Sequence, residues 1–590
     1  MEALFDPRLP VRELASRYST AKSVLLSWGL DTCCSGEQPL EEACAQRGVP
    51  LSDVLKDLES AHRVAEAYSL VPPSMSIREV RRRFPATIPV FERYGLGDCG
   101  GEEGPDEPLA WFATVHRLPV DRLLADVREA AARDLSSAPV ERPAAGAAPK
   151  PFTPHFLLGS LLLTLTLGST TGMINLLRIA AGADVPTSHR QIHGHTQIFG
   201  FVTLFLMGIA FHAFPRILGI GGARPRAALP AFWLMASGVL ARNVGQPFNL
   251  YPAGRLLSLA SAVLEGAAGF LFARFVFESL ARATSGKYDR SDPLLRFVRA
   301  GTVYLAAALV LNALQGVWLA GHLETALPHA LTESLSYAAL YGFLLAWIYG
   351  FGNRLVSLFL GLGPATRGTP EATLLLQAAG VMLALASFLP PWPLTPALAL
   401  RDLGLALTAL SAVVFLAGNG FLWRRASFPI LRVPGNPALA IRSAFGCLGL
   451  WALLELAAVT VGRVTRFPSQ NLWWADAARH VFTVGFLTLL IVGMSFRILP
   501  VFSGRTLWSP RLAHLTYGLV LTGTAMRLLQ YPAAFEPGFY RVGAYMGIPV
   551  VLGLLLFGWN LVRTVRAPAP GPVASIPARL RGFSSTLPVR

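Results

Sequence analysis

Residues 195–217 read HTQIFGFVTLFLMGIAFHAFPRI, residues 337–359 read YAALYGFLLAWIYGFGNRLVSLF, and residues 480–502 read HVFTVGFLTLLIVGMSFRILPVF. A Gly-Phe pair begins at Gly200, Gly342 and Gly485, so the copies are 142 and 143 residues apart. A second glycine follows eight residues later in each (Gly208, Gly350, Gly493), and His212, Arg354 or Arg497 stands twelve residues after the first. Matched spacing of this kind marks an internal repeat. Each copy is apolar over about 20 residues, the length a helix needs to cross the hydrocarbon of a bilayer.

Working outward, about twelve such stretches follow one another, at 155–180, 192–214, 226–242, 254–279, 297–319, 330–352, 372–391, 402–423, 440–462, 479–500, 512–530 and 543–564. The three copies occupy the second, sixth and tenth. The expectation is an all-α fold: a twelve-helix transmembrane bundle over 152–566, with a three-fold internal repeat of three groups of four helices. The polar, Pro-rich residues 567–590 read as a disordered tail.

Composition agrees. Of 590 residues 53% are hydrophobic and 15% charged, and the mean hydropathy is +0.47, which excludes a soluble globular enzyme, a disordered chain or a disulfide-stapled secreted domain. The charge is divided along the chain. Residues 1–150 hold 18 Lys and Arg against 23 Asp and Glu, whereas 151–590 hold 33 against 12. The net charge of +16 therefore comes from arginine in membrane loops, not from a nucleic-acid-binding surface, and no nucleic-acid partner is expected. Placing the arginine-rich loops inside puts both termini in the cytoplasm.

The acidic part before the bundle is itself duplicated. Gly29-Leu30 aligns with Gly95-Leu96, a period of 66, and both copies end in an amphipathic pattern, VLKDLESA and LLADVREA. Two small soluble helical units are expected, over 1–70 and 71–134. A Pro-, Ala- and Ser-rich linker follows at 135–151. Cys33, Cys34, Cys44 and Cys99 lie in this part, with no Cys-x-x-Cys pair, and the start of the chain has no apolar h-region. The pattern suits a reducing compartment, and the thiols read equally as buried structural groups or as reactive ones.

Ionisable groups inside a membrane are costly, so each asks for a reason. His195 and His480 occupy the same register position, five residues before the Gly-Phe glycine of their copies. Two imidazoles at one depth are a candidate pair of axial ligands for one haem. His193 and His189 precede the second helix, and His322 and His329 precede the sixth. His193, His322 and His329 are candidate copper ligands, or contacts for haem propionates, or solvated loop residues. His212 and His155 read as structural. Glu265 and Glu455 are candidates for a proton path or for paired structural acids. Arg354 and Arg497 read as snorkelling residues at helix ends, and Asn312 and Gln315 as hydrogen-bonding groups across the bundle.

Two resemblances follow. GLDTCCSGEQPLEEAC, residues 29–44, resembles the short N-terminal domain of the ScdA-like iron–sulfur-cluster repair proteins. The second copy, with Pro85-Ala86-Thr87 and Tyr94-Gly95-Leu96, is similar in a diverged form. The repair proteins' four-helix di-iron domain is absent, so repair activity is not implied. The membrane part resembles the NnrS family through His193-Gly194-His195 with Gly200-Phe201, Leu340-Tyr341-Gly342-Phe343, and Arg479-His480 through Arg497, Pro500 and Gly504-Arg505. It is more distantly similar to subunit I of the haem–copper oxidases, whose low-spin haem is held by histidines on helices two and ten.

What the resemblance implies is a bacterial cytoplasmic-membrane protein carrying haem b and a candidate copper, in nitric oxide or nitrosative-stress defence. The oxidase-like binuclear centre is not implied, because helices six and seven carry no histidine equivalent to the copper ligands. Partners expected on this basis are nitric oxide or a related small gas, an electron donor (quinol or cytochrome) and membrane lipid. The rivals are a divergent nitric oxide reductase or quinol-oxidising carrier, and a haem-free transporter or metal-site assembly factor.

Overall fold

The structure is a computed structural model, and it describes residues 5–18, 20–30, 37–97, 108–116, 118–136, 153–218, 220, 226–284, 291–389, 393–426, 433–465, 472–503, 506–533, 535–536 and 538–566. Among the described residues all regular structure is helical, apart from two isolated β-bridges. The chain divides into two compact units, one of residues 1–150 with 215–222 and one of residues 151–214 with 223–590.

The first unit contains two separate hydrophobic cores. Phe5, Leu14, Leu25 and Leu58 belong to one, and Ile77, Phe91, Phe112 and Val127 to the other. The same backbone frame surrounds both. Leu9, Leu14, Gly29 and Leu30 donate to Asp6, Pro10, Leu26 and Leu25. Met75, Val80, Gly95 and Leu96, 66 residues later, donate to Pro72, Ser76, Glu92 and Phe91. Gly29 and Gly95 take φ values of +71° and +69°, the left-handed conformation that ends a helix and that glycine adopts without steric cost. One bridge joins Pro10 to Pro39 and the other Ser76 to Pro108. The linker from residue 137 onward and the tail after 566 lie outside the described residues.

In the second unit the helices are α1 Pro154–Ala180, α2 Thr187–Pro215, α3 Ala228–Gly245, α4 Pro252–Ala283, α5 Pro293–Gly321, α6 His329–Phe359, α7 Thr369–Ala386, α8 Leu394–Asn419, α9 Pro437–Val461, α10 Trp474–Pro500, α11 Pro510–Arg527 and α12 Gly538–Arg566. Ten of them are long and apolar enough to cross a membrane; α3 and α11, each 18 residues, do not meet that measure. Large apolar side chains such as Trp233, Leu256, Phe270, Val310 and Leu375 are exposed on the outer helices, as the surface of a multi-pass membrane protein requires.

The three repeat helices are the inner ones. Within their apolar windows α2, α6 and α10 are each 83% buried, against 33–56% for the other seven. Each also carries a π-helical segment at nearly the same place: Thr196–Thr203, Tyr337–Leu344 and Val481–Thr488. A π turn fits one extra residue and resets which face the following side chains present. The repeat glycines serve helix packing. A Cβ at Gly342 would fall 2.6 Å from Tyr304 of α5, and one at Gly485 2.9 Å from Cys447 Sγ of α9.

Candidate functional site

The imidazole that meets His480 is that of His193. Their ring centres are 6.5 Å apart and their planes within 7° of parallel. His193 comes from α2 and His480 from α10. A π turn at Thr164–Gly168 in α1 brings the Gly168 carbonyl out of the regular helical pattern, and it accepts from His193 Nδ1 at 2.9 Å. Space for the ring comes from Gly172: a Cβ there would lie 2.5 Å from His193 Cε1. His480 Nδ1 donates to the Asp476 carbonyl one turn back at 2.7 Å, with an Asp476 carboxylate oxygen at 3.3 Å. Both rings are therefore fixed through Nδ1, and among the described residues neither Nε2 has a hydrogen-bond partner. That is how metal-binding imidazoles are held, with the second nitrogen orienting the ring.

Asp476 is itself secured. Its Oδ2 accepts from Arg527 Nη2 of α11 and from Gln530 Nε2 at 3.1 Å. Arg527 is 3% exposed, and among the described residues its Nε and Nη1 have no partner.

His195, expected to face His480, turns the other way. Its Nε2 lies 2.9 Å from Glu265 Oε1 of α4. Glu265 also accepts from Ser261 Oγ at 3.1 Å and, through Oε2, from Asn312 Nδ2 of α5 at 2.7 Å. Gly238 of α3 makes the room, since a Cβ there would touch the Glu265 side chain at 2.5 Å. Nearby Arg242, 1% exposed, donates to Gln246 and Gln315, and Gln315 donates to the Leu331 carbonyl of α6. The correction has a simple cause. Two residues along a helix rotate the side chain by about 200°, so His193 and His195 point to opposite sides of α2. Glu265 is thus a paired acid within a polar network joining α2, α3, α4 and α5.

Tyr337 takes the same register position in α6, and with Tyr341 it is buried beside Arg401, Glu455 and Arg479. Glu455 Oε1 accepts from Trp451 Nε1 at 3.2 Å, and Arg479 pairs with Glu333 at 2.6 Å.

The other candidates do not gather. His322 is exposed, stacked on Trp318 at 4.3 Å, with Nδ1 on the Trp318 carbonyl. His329 is the exposed first residue of α6. Among the described residues no three His, Cys, Asp or Glu side chains form a group able to hold a metal ion. Arg354 and Arg497, expected at the membrane edge, are 7% and 4% exposed, and Arg497 lies over the Phe359 ring at 5.0 Å. Cys44 is buried in the first core, where burial pushes its thiol pKa up. Cys33, Cys34 and Cys99 lie outside the described residues.

Sequence reasoning missed Asp476, Arg527, Arg242 and Arg401. The i, i+4 spacing of Asp476 and His480 was the one available signal; the others are joined only by the folding of distant helices.

Comparison with known families gives two matches. A domain of unknown function, DUF542 (ScdA_N), matches residues 8–62, the first of the two small units. No curated protein matches the chain. The NnrS protein family matches residues 148–568, the whole helical bundle and well over half of the 590 residues, and the chain belongs to that family.

Proposed function

We propose that this protein is a haem protein of the cytoplasmic membrane that acts in the response to nitric oxide, with one haem b held between His193 and His480. The observation that carries the reading is the pair of parallel imidazoles with ring centres 6.5 Å apart, each anchored through Nδ1. Two metal–imidazole bonds of about 2 Å, with about 1.1 Å from each nitrogen to its ring centre, separate axial ligands by roughly 6 Å. The two imidazoles are not equivalent. His193 is oriented by a neutral carbonyl, whereas His480 also has the Asp476 carboxylate beside it. When bound, the group supplies an iron centre for nitric oxide and for electron transfer.

The same reading takes α3 and α11 as spans. Eighteen helical residues cover about 27 Å, close to the hydrocarbon thickness, which gives twelve crossings with both termini in the cytoplasm. Three inner helices with π turns at matching places support an origin by triplication.

The test is optical and metal analysis of the detergent-purified full chain. A low-spin bis-imidazole spectrum is expected, lost in His193→Ala and in His480→Ala, with a nitrosyl spectrum when nitric oxide displaces one of the two imidazoles in the reduced protein. A preparation free of haem, or an unchanged spectrum in either variant, overturns it.

A further inference from the structure

Four helices of the bundle converge on a second polar site away from the His193–His480 pair. Ser336, Tyr337 and Tyr341 of α6, Arg401 of α8, Glu455 of α9 and Arg479 of α10 line a cavity of about 20 Å³. That is more than the roughly 10–15 Å³ a single water needs on the same measure. Four of the six side chains, two tyrosines and two guanidiniums, can donate hydrogen bonds into the space; Ser336 Oγ donates to the Thr332 carbonyl at 3.0 Å. Arg479 uses one arm on Glu333. Arg401 lies beside Tyr337 in the lining and has a buried Nε with no partner among the described residues. Among the described residues the one carboxylate lining the cavity is Glu455, with one oxygen tied to Trp451. Arg401 and Glu455 share the cavity without forming an ion pair.

Arg479 is matched by Glu333, which leaves Arg401 as a guanidinium outside any ion pair among the described residues; such a donor suits a small acceptor carrying negative charge, and the planar fork of arginine suits a planar oxyanion. We propose that this cavity binds a small planar oxyanion of the size of nitrate or bicarbonate, held by Arg401, Arg479 and the tyrosine hydroxyls. None of its lining residues is a proposed haem ligand, and Arg479 directly precedes His480 in α10.

The test is calorimetric titration of nitrate, a poor ligand for iron porphyrins, into the detergent-purified full chain, with haem content measured on the same sample. Saturable binding is expected, and sulfate, which is tetrahedral and bulkier, should bind at least about tenfold more weakly. Arg401→Gln should weaken nitrate binding by roughly ten- to a hundredfold, the value of a charge-assisted hydrogen bond. Glu455→Gln removes the one negative charge facing the cavity and should strengthen binding by about tenfold or more. Because that variant gains affinity, misfolding cannot imitate the result. Absence of saturable nitrate binding up to about 10 mM, affinity unchanged in Arg401→Gln, or weaker binding in Glu455→Gln each overturns the proposal. Equal binding of sulfate overturns the size limit that defines the ligand. Haem content reports on the His193–His480 reading separately.

Discussion

His195→Ala and His193→Ala, two residues apart on one helix, should have opposite consequences. His195→Ala removes one of the three donors to Glu265 and leaves Ser261 and Asn312 in place. Truncating one partner of a buried pair costs about 3–5 kcal/mol when the remaining group is left bare. Two surviving hydrogen bonds put the expected loss at the low end, near 3 kcal/mol. The assay is reversible unfolding in mixed detergent micelles, as a cycle of His195→Ala, Glu265→Gln and the double variant. A coupling of about 2 kcal/mol is expected between residues sharing a buried hydrogen bond. The haem spectrum of His195→Ala should survive, whereas His193→Ala should lose its low-spin bands with far less effect on unfolding of the haem-free protein. A coupling below about 0.5 kcal/mol would refute the structural role. Loss of the spectrum in His195→Ala with retention in His193→Ala would refute the whole assignment of faces.

Two further predictions concern single groups. Gly172→Ala should displace the His193 ring, because the added carbon would lie 2.5 Å from Cε1, and should turn a low-spin spectrum into a mixed-spin one while the protein still folds. Cys44, neutral and buried, should resist maleimide in the folded protein at pH 7 and react on unfolding. Its thiol pKa is raised in the folded state, so the stability it contributes is present below the unfolded pKa of about 8.5 and is lost as pH rises through the raised folded value. Unfolding titrations from pH 7 to pH 10, with Cys44→Ala for comparison, measure this; a wild-type profile no steeper than the variant's would contradict it.

Much of the architecture could be read from spacing alone. The Gly-Phe motifs picked out the three helices that prove to be the most buried, and the 66-residue period picked out two stretches with matching backbone hydrogen bonds. These signals survive because burial and helix termination act locally on the chain. The facing of individual side chains was not legible. His195 and His480 share a register position, yet an axial partnership depends on rotation about the helix and on π turns, which hydropathy does not record. Arg242 and Asp476 look like stray charges in sequence and become intelligible only once α5 and α11 bring Gln315 and Arg527 to them. α3 and α11 show the converse: tails of apolar sequence suggested ordinary spans, but polar groups needed for internal bonding lower their apolar character.

The duplicated soluble frame carries a consequence for the thiols. Val49 donates to the Cys44 carbonyl, and in the later copy Leu118 donates to the carbonyl of Ala113, which is also fully buried. Nature has thus already performed the alanine replacement at this place, within the same molecule, and the scaffold closes around it. Architecture alone does not demand sulfur there, so a defect in a Cys44→Ala chain that remained well folded would have to be sought in chemistry rather than in shape.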